Sequence, residues 1–380
     1  MQFNRQKTAL ILSGGGARAA YQVGVLKAIG EILPFTRHEN PFPIITGSSA
    51  GAINATVVAA YAQHYRLGMK RLEHVWANFS VEQIFYADTV HLIKNSWRWL
   101  SIMFGNHPHS TLGLLDNTPL TRLLDKMIPY PLIEKAIAQG ELDALCVTAS
   151  SYTSGESVSF YQALPEIDAW SRHRRKGVRT QINKKHLLAS AAIPLVFPAV
   201  QVEDEYYGDG NMRFLSPLSP AVHLGAEKLL VIRVDPEDES DTLISHPQGY
   251  PTIAEIAGHL LDSVLVDSLD SDLERLERIN KTLSVIPEKI KRTQLSLKPI
   301  SSLVISPSFD INIIARKYFT ELPKSLRRFL KRIGIDGNSG DAILSYILFE
   351  KAFTQELITL GYQDTLKQKQ SVIDFYQVKS

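Results

Sequence analysis

Ser49 lies in Gly47-Ser48-Ser49-Ala50-Gly51, directly after the apolar run Pro43-Ile44-Ile45-Thr46. A serine hydroxyl becomes a useful nucleophile when it is exposed, oriented and served by a base. A G-x-S-x-G turn between a strand and a helix supplies the first two conditions. Gly47 and Gly51 fit such an elbow because it brings backbone and helix so close to the serine that a Cβ at either position would clash. A second glycine-rich stretch, Ser13-Gly14-Gly15-Gly16-Ala17-Arg18, follows the apolar run Thr8-Ala9-Leu10-Ile11-Leu12. Acyl transfer builds negative charge on a carbonyl oxygen, and the backbone N–H groups of Gly14, Gly15 and Gly16, at the start of a helix, suit an oxyanion hole. Arg18 would add positive charge there or fix the loop.

The same glycines fit a looser dinucleotide fingerprint, Gly14-x-Gly16-x-x-Ala19. That reading requires a second strand ending in an acidic residue about 20 residues on. Here Glu39 sits in a polar loop, and the next strand ends in the serine elbow. No nucleotide cofactor is therefore expected.

Further motifs follow in order: Tyr21-Gln22-Val23-Gly24-Val25-Leu26, then Gly51-Ala52-Ile53-Asn54, Ala189-Ser190-Ala191-Ala192-Ile193-Pro194 with Phe197-Pro198, and Tyr207-Gly208-Asp209-Gly210. Together with the two glycine-rich turns, they make the chain resemble the patatin-like phospholipases, lipid acyl hydrolases with a serine–aspartate dyad. The resemblance runs from the first strand to about Val234. It implies a three-layer α/β/α core, Ser49 as nucleophile, Asp209 as base, an oxyanion hole at Gly14, Gly15, Gly16 and Arg18, and an elbow framed by Gly47 and Gly51. It also implies a phospholipid or related lipid ester as substrate, with neither metal nor cofactor. Two positions depart from the family pattern: Ala19 stands where a glycine is usual, and Asn211 where a glycine or alanine usually follows the Asp-Gly pair. A lipid-binding or scaffold protein that keeps the fold without the activity is the rival reading, and a thioesterase or short-chain esterase is a nearer one.

Asp-Gly-Asn occurs twice, at Asp209 and Asp336, and Asp-Gly is a common turn dipeptide. The family's motif order selects Asp209. A solvated aspartate is too weak a base to deprotonate serine, so the dyad requires a dry site that raises its pKa. The competing arrangement is a triad in which His223, His246 or His259 is the base.

The 380 residues are 44% apolar and 21% charged with a formal net charge of +2, the profile of an ordinary globular protein with no signature of nucleic-acid binding. The single cysteine, Cys146, cannot form an intramolecular disulfide. With no secretory leader and no apolar stretch long enough to span a bilayer, a cytoplasmic location with at most peripheral membrane contact is expected. The oligomeric state is not legible.

The elements that must position these residues alternate between strands and helices. Residues 1–249 are read as the catalytic domain and 250–380 as a mainly helical region of unknown role. An aromatic segment at 67–115, containing Trp97-Arg98-Trp99-Leu100, is a buried helix or a lid over the acyl site. Ala144–Ser150 and Ser157–Tyr161 read as a hairpin, His173–Arg179 as a solvated loop, and Lys228–Val234 as a buried parallel strand. Beyond Gly249, helices are expected at Ile253–Leu269, Leu273–Leu283, Phe309–Phe319, Lys324–Ile333 and Gly340–Leu360, with a strand at Leu303–Ile305. Lys324–Arg332 is basic and amphipathic, either a solvated face over a packed stripe or a helix for an anionic lipid surface.

Overall fold

Runs such as Thr8–Leu12, apolar without polar alternation, are the mark of strands covered on both faces. In the computed structural model such runs form the middle of one mixed sheet. The structure describes residues 7–34, 39–91, 94, 97, 113–213, 216–236, 267–287, 297–336 and 340–376. The strands are β1 (Thr8–Leu12), β2 (Ile44–Ser48), β3 (Ala144–Ser151), β4 (Ser157–Ala163), β5 (Ser171–Arg172), β6 (Arg175–Arg179), β7 (Val200–Val202), β8 (Glu205–Gly208), β9 (Lys228–Ile232) and β10 (Ser301–Ile305). Their order is β10-β9-β1-β2-β3-β4-β6-β5, with β8 on the end of β3 and β7 beside β8. From β10 to β3 the strands are parallel, and β4 returns antiparallel to β3.

Two-residue periodicity divides each central strand between two apolar layers. Leu10 and Leu12 of β1 and Leu230 and Ile232 of β9 face one core. Ala9, Ile11, Leu229 and Val231 face the other. The first layer contains α1 (Ala20–Ile32), α2 (Ala50–Ala60), α3 (Tyr65–Trp76), α4 (Thr118–Met127), α5 (Pro131–Ala138) and α6 (Lys184–Ser190). The second is built on α7 (Ser219–His223) and α8 (Asp267–Val285), through residues such as Ala221, Leu269 and Leu276. This is the α/β/α arrangement expected.

Several expectations need correction. His173–Arg179 contributes to a charged sheet edge rather than a solvated loop: Arg175–Arg179 pairs with β4 and β5. Charges at a sheet edge deter further pairing, and they make an edge strand read like a loop. The C-terminal region is continuous with the first core, because β10 joins the same sheet and Leu344, Phe353 and Val372 are buried in the layer that holds α1. It adds α9 (Ile311–Lys317), α10 (Lys324–Arg332), α11 (Asp341–Ile347), α12 (Lys351–Lys367) and α13 (Lys369–Tyr376). The helix expected at Gly340–Leu360 is two, interrupted at Leu348–Glu350. The boundary at Gly249, most of Ile253–Leu269 and residues 98–112 of the lid segment lie outside the described residues. In the described part of that segment, Trp76 is buried and donates its indole N–H to Asn54 at 2.8 Å.

The apolar stripe of α10 is already occupied. Leu326 and Leu330 are buried in the core, while Arg327 donates to the Thr320 carbonyl at 2.9 Å, so the helix does not present that stripe to a lipid surface. No helix among the described residues is long and apolar enough to cross a membrane.

Helices α1 and α12 meet backbone to backbone. A Cβ built on Gly24 would overlap the Ile358 carbonyl oxygen, and one on Gly361 would overlap the Tyr21 carbonyl oxygen. Gly24→Val should therefore force the pair apart and destabilise the protein by about 1–3 kcal/mol or more, read as a lower urea midpoint. An unchanged midpoint would contradict this close approach.

Candidate active site

The end of β2 runs into α2 through Ser49, whose φ of 52° and ψ of −130° hold it in the strained elbow conformation. A Cβ on Gly47 would lie 2.6 Å from the Gly51 carbonyl oxygen, and one on Gly51 would overlap the carbonyl oxygens of Leu12 and Ser13. Both glycines are thus fixed by crossing backbone. The elbow is tied to the next strand by Ser190. Its hydroxyl accepts the Ser49 N–H at 2.9 Å and donates to the Thr148 carbonyl of β3 at 2.6 Å.

Asp209 arrives from the neighbouring strand end. β8 pairs with the end of β3, Gly208 opposite Ser150, and Ser48 of β2 is in register with Thr148 of β3, so the serine and the aspartate emerge side by side. The Asp209 carboxyl is 1% exposed. Oδ1 accepts the Asn211 N–H at 2.9 Å, whereas among the described residues Oδ2 has no hydrogen-bond partner. Burial lifts its pKa to about 6, offset in part by the facing Ser49 hydroxyl and the Asn211 N–H. The Asp209 carboxyl is therefore dry, its acidity weakened by burial.

Of the three loop glycines, Gly14 lies against the serine. A Cβ on Gly14 would come within 2.8 Å of the Ser49 Cβ, and one on Gly15 within 2.5 Å of the Val234 side chain. Gly16, at φ 56°, lies against the Tyr346 carbonyl oxygen. Among the described residues the N–H groups of all three find no hydrogen-bond partner, although the residues are buried. Unpaired buried donors are rare and mark a place where an anion can be received.

Arg18 points the other way. Its guanidinium donates to Ser345 Oγ at 2.7 Å, to Asn312 Oδ1 at 2.8 Å and to the Ala342 carbonyl at 3.3 Å, and it stacks 4.1 Å over the Tyr346 ring. Of the two roles read for it, fixing the loop is the one this geometry serves. A buried amide network does the same from below: Gln22 donates to the Ser13 carbonyl at 2.7 Å, and Asn54 donates to the Ala19 carbonyl and to Gln22. Ser190 lies in the Ala189–Pro194 motif, which does not single it out as a site residue, whereas Asn312, Ser345 and Tyr346 carry no local motif in the sequence, and only the fold brings them here.

Of the three histidine alternatives, the described one, His223, does not approach Ser49. His223 stacks on Trp170 in a cavity lined by Lys7 and Glu227. These residues precede β1 and β9, so His223 sits at the opposite end of the strands. His246 and His259 lie outside the described residues. The buried His186 caps its own helix, its Nδ1 accepting the Asn183 N–H at 3.1 Å, and burial lowers its pKa to about 4. Asp336 follows α10 on the surface and is exposed.

Beside Ser49 opens an apolar cavity of about 40 Å³, walled by Ile53, Trp76, Phe79, Leu123, Met127 and Phe349, among others. Ile347 and Phe349 reach it across the break between α11 and α12.

A family model for patatin-like phospholipases matches residues 10–222. No curated protein matches the chain. Among solved structures, human GIVD cytosolic phospholipase A2 is 10% identical over 98% of this chain and 60% of its own length, with a TM-score of 0.46. Its complex with methyl gamma-linolenyl fluorophosphonate gives 12% identity over 98% and 59%, with a TM-score of 0.44. VipD from Legionella pneumophila is 11% identical over 96% of this chain and 67% of its own, with a TM-score of 0.34.

Because folding lifts the Asp209 pKa from the ordinary carboxylate range to about 6, the native state binds more protons than the unfolded chain between about pH 4 and 6, and stability falls as pH rises through that window. Asp209→Asn removes the penalty of ionising a buried carboxyl. It should stabilise the protein at pH 8 by about 2–3 kcal/mol and by little at pH 4, as read from urea melts. An equal effect at both pH values would show that Asp209 is not the desolvated acid described.

Proposed function

Since this chain belongs to the patatin-like phospholipase family, a family of lipid acyl hydrolases, we propose that it hydrolyses carboxylic esters of phospholipids or related lipids through an acyl-serine intermediate, with Ser49 and Asp209 as its dyad. The observation that carries this reading is the desolvated Asp209 carboxyl facing the elbow serine from the adjacent strand end. Above pH 6 the carboxylate takes the Ser49 proton as Oγ attacks the ester carbonyl carbon. The tetrahedral oxyanion is received by the N–H groups of Gly14, Gly15 and Gly16 at the start of a helical turn. Collapse expels the alkoxide, which takes the proton from Asp209, and leaves the acyl group on Ser49. Water, deprotonated by the same carboxylate, then attacks that carbonyl. The fatty acid leaves as Ser49 recovers its proton.

The acyl chain would occupy the cavity beside Ser49. Its apolar walls offer nothing to a charged or polar group. A water needs about 10–15 Å³ measured this way, so about 40 Å³ admits only a few chain atoms until Met127 and Leu123 move aside. This narrowness favours, as a second reading, an esterase or thioesterase for short acyl groups.

Wild-type protein should react covalently with a fluorophosphonate probe and hydrolyse a short-chain ester, with the rate rising to a plateau through about pH 6. Ser49→Ala should abolish both while leaving the circular dichroism unchanged. His223→Ala and Asp336→Asn should retain wild-type turnover. Labelling that survives Ser49→Ala would remove the nucleophile assignment, and an inactive His223→Ala enzyme of normal stability would favour a triad. A series of esters of increasing chain length separates the two substrate readings: turnover confined to the shortest acyl groups supports the second.

A further inference from the structure

Asn211 departs from the small residue that usually follows the Asp-Gly pair, and its surroundings give it work. The residue lies in the short helical turn Gly210–Arg213 and is 6% exposed. Its backbone N–H is engaged by Asp209 Oδ1, but among the described residues its side-chain amide has no hydrogen-bond partner. Asp209 Oδ2 is unpartnered too, so the amide does not serve the base. A side-chain donor without a protein partner in a largely buried residue calls for an explanation in ligand or function.

The direction of the amide supplies that explanation. A Cβ placed on Gly14 would fall on Asn211 Nδ2, 3.1 Å from Asn211 Cγ and 2.8 Å from Ser49 Cβ. The amide nitrogen, the first glycine of the anion-receiving loop and the carbon that carries the nucleophile therefore surround one point. Gly14 is without a side chain where Asn211 supplies one. The amide N–H is a donor that carries no charge, so it strengthens an anion site without competing for Asp209.

We propose that the Asn211 side-chain amide is a catalytic residue, a side-chain donor that joins the N–H groups of Gly14–Gly16 in binding the oxyanion formed on Ser49. The inference rests on the serine hydrolase reading above. A neutral donor aimed at developing charge strengthens its hydrogen bond as the carbonyl oxygen becomes an oxyanion. It therefore acts on turnover more than on ground-state binding.

The test compares full-length wild type, Asn211→Ala and Asn211→Asp for kcat and KM on a short-chain ester, for the rate of fluorophosphonate labelling, and for melting temperature. Loss of a single oxyanion donor costs on the order of a hundredfold or more in kcat in other hydrolases. Asn211→Ala should lower kcat at least about tenfold with KM within about twofold, and slow labelling in parallel, because the phosphonyl oxygen occupies the same position. Asn211→Asp, similar in shape but repelling the oxyanion, should lose more, and it keeps the test available if the alanine variant does not fold. A kcat within about twofold of wild type in a folded variant would overturn the proposal, as would a loss expressed only in KM. Wild type that neither labels nor hydrolyses would overturn the hydrolase reading itself and this inference with it. An active wild type with an equally active Asn211→Ala overturns the inference alone.

Discussion

The arrangement around Ser49 depends on keeping one carboxyl dry. Asp209 is buried at the end of β8, and its raised pKa follows from that burial more than from any charged neighbour. The register of three strands produces the placement. β2 delivers Ser49, β3 lies beside it, and β8 folds back onto the end of β3 so that the aspartate leaves the sheet next to the serine. Gly210, where a Cβ would overlap the Thr148 carbonyl oxygen, lets that turn lie flat against β3. A bulkier turn would lift the carboxyl toward water, lower its pKa and weaken it as a base.

The loop opposite the aspartate is held from outside its own segment. Gly16 sits against the Tyr346 carbonyl, and Arg18 is fixed by Ser345, Asn312 and the Tyr346 ring. All of these partners come from the C-terminal helices α9 and α11. Helix α11 also walls the apolar cavity through Tyr346 and Ile347. The region after β9 is thus neither an appendage nor a separate domain. It completes the sheet with β10, packs α12 against α1, and braces the glycine-rich loop beside Ser49.

Legibility in the sequence followed the range of the interactions. The two glycine-rich turns, β1, β2 and the β3–β4 hairpin were readable because each is set by local pattern: an apolar run, then turn residues. Asp209 was readable only through motif order, since Asp336 has the same neighbours and differs in burial, which is a property of the fold. The Arg18 contacts cross more than 290 positions of sequence, and no local pattern announces Ser345 or Asn312. Strand β6, next to the short edge strand β5, is not legible in the sequence because its charges, which suit the border of a sheet, are also those of a loop. The amphipathic α10 had two readings because a stripe facing a core and a stripe facing a lipid surface are the same stripe until its partner is known.

The silent-scaffold alternative is best weighed against what a fold needs in order to be stable. Stability is served by pairing buried donors and keeping carboxyls hydrated or bridged. Around Ser49 the opposite holds: among the described residues the three loop N–H groups lack partners, Asp209 has an unpaired oxygen and a pKa lifted by desolvation, and Ser49 sits at positive φ. A desolvated carboxyl and a strained φ cost stability, and both are found where the Ser49 hydroxyl stands. Donors on one side of that hydroxyl and an acceptor on the other are what the passage of a proton and the appearance of an oxyanion require. A protein that only bound lipid would need the apolar cavity but none of this polar strain, so the arrangement favours catalysis over passive binding.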